Sequence, residues 1–300
     1  MTHEACLRSL RPESARYRKT FGLMTGLRFI AVVPLLAAMA GAQQAQSSYW
    51  QRFSAHNAEM TQLQPAMITP LVAADPRLIQ YARLSFSNEY TAAGTQTTNY
   101  GNTRGAGMIA FRRFEFDAIP PPYIQHNSST ADGVGDAVLS GKARIASGNA
   151  EHGNFDVAAC LSHSFATGSH SNGARTDVWT PALAAEKTFG RFVSLSALGG
   201  TMPTGKIVEQ GRTIAWNSTI QAHAARTAWF EVEDNATYYF AGAHDSKMQN
   251  FVTPGVFYLL RGAEWQSTHP FAVFAGGMQI ATSQFHIYNH NLIAEVRVLF

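Results

Sequence analysis

The chain has 300 residues, of which 14% are charged, and it carries 23 Lys and Arg against 20 Asp and Glu. Typical soluble domains have about 25% charged residues, so this composition argues against an ordinary soluble enzyme. Six of the basic and two of the acidic residues lie in residues 1–42, which leaves 17 against 18 in the remainder. The remainder therefore lacks the basic excess of a nucleic-acid-binding protein, and no nucleic-acid partner is expected.

The first predicted element in chain order is an N-terminal signal peptide over residues 1–42. A basic stretch at residues 16–19 precedes an apolar run at residues 29–40, and small residues follow the run. This order is typical of a secretory signal, and the run of about 12 residues is shorter than the roughly 20 that span a membrane. Either Met1 or Met24 fits as the start of the signal.

The rest of the chain divides into two predicted parts. Residues 43–76 are expected to form an N-terminal periplasmic segment or a plug, and residues 77–300 are expected to form the main domain. Cys6 would leave with the signal, so Cys160 has no cysteine with which to form an intramolecular disulfide. A secreted domain of this kind needs another source of stability, and a closed ladder of backbone hydrogen bonds would supply it.

Alternation of apolar and polar residues is the main pattern after residue 76, and it is typical of strands with two different faces. In residues 213–223, for example, Ile214 and Trp216 share one face, while Thr219 and Gln221 share the other. Eleven such segments are predicted as strands, at residues 77–90, 107–117, 137–146, 155–165, 178–189, 192–202, 213–223, 228–240, 250–261, 270–282 and 288–300.

These strands predict an all-β fold, namely a transmembrane antiparallel up-and-down β-barrel. Their lengths are close to the roughly 9–11 residues that cross a bilayer at a tilt. Bacterial barrels have even strand numbers, so we predict twelve strands, with ten or fourteen as the alternatives. Residues 66–72 are the predicted place of the twelfth strand. A soluble β-sandwich with many short strands is the competing fold.

The last strand carries a further signal. In residues 292–300 every second side chain, counted back from the terminal aromatic, is apolar, with Phe300, Val298 and Val296 on one face. This resembles the closing strand of bacterial outer-membrane barrels, in which the terminal aromatic is an assembly signal. The expected location is therefore the bacterial outer membrane, and the expected partners are outer-membrane lipid and the barrel assembly machinery.

Turn and loop lengths predict the orientation of the barrel. Both termini are expected to be periplasmic, with a tight periplasmic turn at residues 190–191 and long external loops at residues 118–134 and 166–177. Residues 262–269 would form an unusually long periplasmic connection. Aromatic residues near strand ends are expected to form girdles at the two membrane interfaces, at Trp179, Phe189, Phe192, Trp229, Phe230, Tyr238, Tyr239 and Phe240.

Short motifs in residues 77–300 resemble one family of barrels. Gly135 and Asp136 open a strand, and Pro203-Thr204-Gly205 closes another. This pattern is similar to the outer-membrane barrels described as "putative MetA-pathway of phenol degradation", a transporter-like family. Residues 166–168 depart from it, because they read Ala-Thr-Gly where the family more often has Pro first. The resemblance implies passive uptake of a small molecule, including an aromatic or apolar one.

The lumen faces of the predicted strands collect polar residues of both charge signs. Such residues either pair with one another and hold the barrel shut, or line a narrow polar path. The candidate lumen and transport residues are Lys142, Arg144, Asp156, Glu186, Asn217, Gln221, His223, Glu231, Glu233, Glu295 and Arg297.

A lipid-modifying enzyme and a structural barrel without transport are the alternatives to a transporter. Residues 162–164 read Ser-His-Ser, but neighbours in a strand point to opposite faces, so His163 cannot pair with either serine. His286 and His290 have a helical spacing in a segment that reads as strand or loop. No enzyme activity, catalytic residue, metal or cofactor is therefore expected.

Overall fold

The computed structural model of the chain describes residues 47–260 and 271–300. The predicted signal peptide and the long connection at residues 262–269 lie outside the described residues. The chain divides into two compact units, residues 1–51 and 52–300, and the β-sheet belongs to the second.

The described residues contain two helices and one sheet of fifteen strands. No helix in this part of the chain is long and apolar enough to cross a membrane. The helices are α1 (Ser47–Gln62) and α2 (Ile207–Gln210). The strands are β1 (Tyr81–Tyr90), β2 (Gln96–Tyr100), β3 (Gly105–Phe111), β4 (Phe114–Ile119), β5 (Tyr123–His126), β6 (Gly133–Val134), β7 (Ala137–Gly148), β8 (Phe155–Phe165), β9 (Val178–Phe189), β10 (Phe192–Pro203), β11 (Arg212–Ala225), β12 (Ala228–Ala241), β13 (Met248–Leu259), β14 (Phe271–Ala281) and β15 (His290–Leu299).

The sheet closes into a barrel because β15 pairs with β1. Their antiparallel register runs from Tyr81 opposite Leu299 to Tyr90 opposite His290, so the closing seam is continuous. Twelve strands surround the lumen, since the short strands β2, β5 and β6 extend the wall beyond β3, β4 and β7 rather than adding positions around it. The predicted fold class and strand number are confirmed.

The place predicted for the twelfth strand is wrong. Residues 107–117 were expected to form one strand, but they form the hairpin of β3 and β4, which turns at residues 112–113. Residues 66–72 form no strand. Pro65 and Pro70 lack the N–H groups that a sheet ladder needs, and the apolar residues around them are buried inside the barrel instead.

The two faces of the wall differ as the alternation predicts. On β11, Trp216 and Ile220 are exposed on the outer surface, whereas Thr219 and Gln221 are each 1% exposed on the inner surface. The expected aromatic girdle is wrong at two positions. Trp229 and Tyr239 are buried on the lumen side of β12, because odd-numbered residues of this strand face inward.

The two rims of the barrel have different connections. Turns at residues 112–113, 190–191 and 226–227 lie at one rim, where β1 also begins and β15 ends; we call it the short-turn end. Gly190 has a φ of 61°, the left-handed conformation that a two-residue turn requires. Longer connections, including residues 166–177 and 282–289, lie at the opposite rim, the long-loop end.

One carboxylate lies on the outer, apolar face of the wall. Asp234 is exposed near the middle of β12 and accepts a hydrogen bond of 2.7 Å from Asn250 Nδ2. A cationic residue at the bilayer midplane destabilises a barrel by about 2–4 kcal/mol, and an acidic residue by less. We therefore expect Asp234→Leu to raise the free energy of unfolding by on the order of 1 kcal/mol. Urea unfolding in lipid vesicles measures this, with the loop variant Asp245→Leu as the control; an unchanged or lower stability contradicts it.

Candidate functional site

The predicted lumen residues all come from the inner faces of β7, β8, β9, β11, β12 and β15. Asn217 and His223 are partly buried. The other nine are buried: Lys142, Arg144, Asp156, Glu186, Gln221, Glu231, Glu233, Glu295 and Arg297. They are buried because another part of the same chain occupies the lumen in front of them.

A stretch of chain between α1 and β1, residues 64–80, lies inside the barrel; we call it the lumen segment. Met67, Ile68, Leu71 and Ala73 of this segment are buried in one apolar cluster. The cluster also contains residues from β9, β10, β12, β13, β14 and β15, namely Ala184, Val193, Leu195, Ala197, Trp229, Phe257, Leu259, Val273, Ala275 and Leu299. Barrels of about eight strands are filled by side chains. Here twelve strands leave room for a chain segment.

Two glycines form a socket for the side chain of Leu71. Gly255 and Gly277 lie opposite each other on β13 and β14. A Cβ atom added at Gly255 would lie 2.6 Å from Leu71 Cδ1, and one added at Gly277 would lie 2.5 Å from it. Any larger residue at these positions would therefore collide with Leu71.

Two glutamates of β12 hold the backbone of the lumen segment. Glu233 accepts hydrogen bonds of 2.8 Å from the N–H groups of both Val72 and Ala73. Glu231 accepts one of 3.1 Å from the N–H of Leu71. Neither glutamate forms an ion pair with Lys or Arg in the described part of the chain. Their partners are instead backbone N–H groups, which this irregular segment does not use in strand pairing, together with the side-chain amides of Gln221 and Asn235.

Cationic and amide side chains of the wall bind the carbonyl groups of the segment. Arg297 donates to Pro70 O at 2.7 Å and also to Thr69 O. Gln221 Nε2 donates to Ile68 O at 2.7 Å. Lys142 Nζ donates to the carbonyl of residue 77 at 2.7 Å. Side chains from β7, β11 and β15 therefore hold the lumen segment by hydrogen bonds to its backbone carbonyl groups.

Arg77 of the lumen segment is fully buried inside the barrel. It donates to Asp75 Oδ2 and to Met67 O, each at 2.6 Å, and its Nε lies 3.9 Å from Glu186 Oε2. Burial raises the pKa of the Asp75 carboxyl, but Arg77 and Lys142 outweigh it and lower that pKa to about 2. Asp75 therefore stays ionised far below neutral pH and can hold the guanidinium in place.

Two carboxylates of the wall, Asp156 and Glu186, lie near Arg77. Asp156 on β8 is directly opposite Glu186 on β9. Arg144 Nε is 3.5 Å from Asp156 Oδ2, and Arg144 also donates to Gln64 of the lumen segment. Arg77 of the segment and Arg144 of the wall thus offset the repulsion between these two carboxylates.

The second half of α1 covers the short-turn end. Asn57 Nδ2 donates to Phe300 O at 2.6 Å, and Asn149 Nδ2 donates to Gln62 O at 3.1 Å. Glu59 forms a 2.9 Å ion pair with Arg112 in the β3–β4 turn. The second half of α1 therefore contacts this rim at three points of the wall.

A polar cavity of about 190 Å³ remains between the lumen segment and the wall. Charged side chains of both signs line it, as do hydroxyl groups and one thiol. Its polar lining comprises Thr69, Asp75, Tyr81, Arg83, Glu115, Asp117, Ser140, Lys142, Cys160, Ser162 and Arg297.

Several of these lining residues were not predicted from the sequence. Glu115 and Asp117 alternate on β4, but that strand was hidden because residues 107–117 were read as one strand. Asp75 lies before β1 and outside every predicted strand. The signal in the sequence that could have revealed Glu115 and Asp117 is their alternation with Phe114 and Phe116.

The Ser-His-Ser run does not form a catalytic pair in the structure. His163 stacks on Trp179 with 4.2 Å between ring centroids, and its Nε2 lies 3.4 Å from Asp177 Oδ2. Ser162 lines the lumen cavity on the opposite face. Within residues 47–260 and 271–300, no three His, Cys, Asp or Glu side chains are grouped so as to hold a metal ion.

Compared with known proteins, the sequence matches no family model. It also matches no curated relative. Solved structures of bacterial barrels are similar in fold. An outer-membrane channel from Pseudomonas putida F1 has 10% identity and a TM-score of 0.48, over 78% of this chain and 100% of that one. The NanC porin has 8% identity and a TM-score of 0.47, over 74% and 98%. The translocator domain of the autotransporter NalP from Neisseria meningitidis has 12% identity and a TM-score of 0.36, over 88% and 97%.

Proposed function

We propose that this chain is an outer-membrane β-barrel that lets a small molecule pass by diffusion, with the lumen segment as its constriction. The observation that carries the proposal is the closed twelve-strand wall with a polar inside and an apolar outside. Outer-membrane lipid is the proposed partner of the outer surface. The barrel assembly machinery is the proposed partner of the closing strand, through Phe300, Val298 and Val296.

The nature of the solute follows from the lumen rather than from the family resemblance. The resemblance to the MetA-pathway barrels of phenol degradation favours an aromatic or apolar solute. The cavity lining carries Asp117, Arg83 and Lys142 among its charged groups. Charged groups in a low-dielectric lumen favour solutes that can pair with them, so we propose a polar solute.

A structural barrel without transport is the second candidate, and the filled lumen favours it. The lumen segment fills part of the barrel, and the second half of α1 partly covers the short-turn end. The two candidates differ in whether the segment leaves a path beside it. We propose a non-enzymatic role in either case, supported by the separation of His163 from the serines beside it.

Electrical recording separates these two candidates. We expect purified, folded, full-length protein to give small, discrete conductance steps in planar bilayers, because the lumen segment leaves only a narrow path. Liposome swelling with small polar solutes is the second measurement, and boiled protein is the control for both. The absence of conductance together with the absence of solute permeation would contradict the transport proposal and leave the structural barrel.

A further inference from the structure

The polar cavity beside the lumen segment contains an unpaired carboxylate. Asp117 Oδ2 accepts a hydrogen bond of 2.8 Å from Ser140 Oγ. Asp117 Oδ1 is buried and has no hydrogen-bond partner, and Asp117 forms no ion pair with Lys or Arg among the described residues. By contrast, Glu115 in the same cavity pairs with Lys142 at 2.9 Å. A buried acceptor without a donor marks a place where a ligand can supply one.

The same cavity contains a cation with spare donors. Arg83 Nε donates to Glu295 Oε2 at 2.7 Å, and Arg297 pairs with that same carboxylate. Two guanidinium groups therefore share one carboxylate. The terminal amino groups of Arg83 make no hydrogen bond within the described residues, and its side chain is 15% exposed. A guanidinium with free amino groups is suited to bind a carboxylate.

Gly107 allows the side chains of Tyr81 and Asp117 to pack over its backbone, beside the cavity. Tyr81, Gly107 and Asp117 lie in one row across β1, β3 and β4. A Cβ atom at Gly107 would lie 2.3 Å from Tyr81 Cε1 and 2.4 Å from Asp117 Oδ1. The cavity of about 190 Å³ corresponds to about six waters at roughly 30 Å³ each. An amino acid of the size of alanine is smaller than this volume and fits within it.

We propose that this cavity binds a small zwitterion, with its ammonium group at Asp117 and its carboxylate at Arg83. Ser162 and Tyr81 also line this cavity. The inference names the solute class of the proposed channel, and its biological meaning rests on that proposed function. A ligand with only one charge would leave either Asp117 Oδ1 without a donor or the terminal amino groups of Arg83 without an acceptor, so both charges are needed for full affinity.

Calorimetric titration of the folded, full-length protein in detergent micelles tests the proposal. The probes are alanine, ethylammonium chloride and sodium propionate, which carry both charges, the cation alone and the anion alone. We expect saturable binding of alanine, and at least tenfold weaker binding of the other two, which is about 1.4 kcal/mol. Equal binding of all three probes, or no binding of alanine, would overturn the proposal without the need for a variant.

Asp117→Asn keeps the shape of the side chain and removes its charge, so we expect it to weaken alanine binding at least tenfold. Asp245→Asn makes the same change in an exposed loop and should leave binding unaltered. Unaltered alanine binding by folded Asp117→Asn would also overturn the proposal. Alanine binding without any conductance would refute the proposed transport but not the site, whereas conductance without alanine binding would refute the site alone.

Discussion

Glu233→Gln is expected to raise the conductance of the purified barrel about tenfold or more. The two oxygens of Glu233 each accept one backbone N–H, from Val72 and Ala73, and the side chain is fully buried. Glutamine offers one acceptor and turns its amino group toward the other N–H. A buried donor left without an acceptor costs about 1–3 kcal/mol, and each 1.4 kcal/mol is about a tenfold change in population. The free-energy difference that favours the lumen segment bound inside the barrel should therefore fall, and the form with the segment released should become more populated.

Single-channel recording measures this effect, and Glu151→Gln in the exposed β7–β8 turn is the matched control. Gly255→Ala provides an independent way to unseat the segment, since its Cβ would lie 2.6 Å from Leu71 Cδ1. Adding Leu71→Ala to Gly255→Ala removes that collision and should restore part of the low conductance. If Glu233→Gln and Gly255→Ala both conduct like the parent protein, the segment does not limit passage.

Arg77→Met is expected to lower the free energy of unfolding by about 3–5 kcal/mol, the usual effect of removing one partner from a buried ion pair. The guanidinium of Arg77 is 0% exposed and donates to Asp75, Met67 O and Thr69 Oγ1. Methionine fills much of the volume but leaves Asp75 buried without its cation. Urea unfolding of the folded protein in micelles measures the loss.

Two further variants make the Arg77 result specific. Arg112→Met breaks the ion pair between Arg112 and Glu59, whose side chains are 73% and 54% exposed. It should change the free energy of unfolding by only about 0–1 kcal/mol. Combining Arg77→Met with Asp75→Leu removes both charges and should recover much of the lost stability. If Arg77→Met lowers the free energy of unfolding no more than Arg112→Met does, the ion pair between Arg77 and Asp75 does not stabilise the barrel.

Strand faces were predictable because a period of two is a local property. On β12, Glu231 and Glu233 were placed inside and Phe230 and Val232 outside, and the structure has them there. The number of strands followed from the rule of even numbers. The hairpin turn at residues 112–113 was missed because it consists of two arginines, with no glycine, proline or asparagine to mark a turn.

The contents of the lumen were not predictable in the same way. Glu231 bonds to Leu71, which is 160 residues away, and Arg297 bonds to Pro70, which is 227 residues away. No local pattern encodes such partners. Gly255 and Gly277 read as ordinary strand residues, because their use depends on a side chain from a distant part of the chain. The sequence predicted which charged residues face inward. Whether they line an open path or bind a segment that obstructs the lumen depends on the position of residues 64–80, which no local pattern predicts.

The distance along the chain between the lumen segment and its partners also sets an order of events. The segment lies before β1, while the groups that bind it lie on β12 and β15, up to 228 residues later. Contacts between such distant residues form late, because a long loop must close before they are made. The wall must therefore be nearly complete before the segment can be seated. Residues 64–80 therefore reach their final position only after the last strands of the barrel have formed.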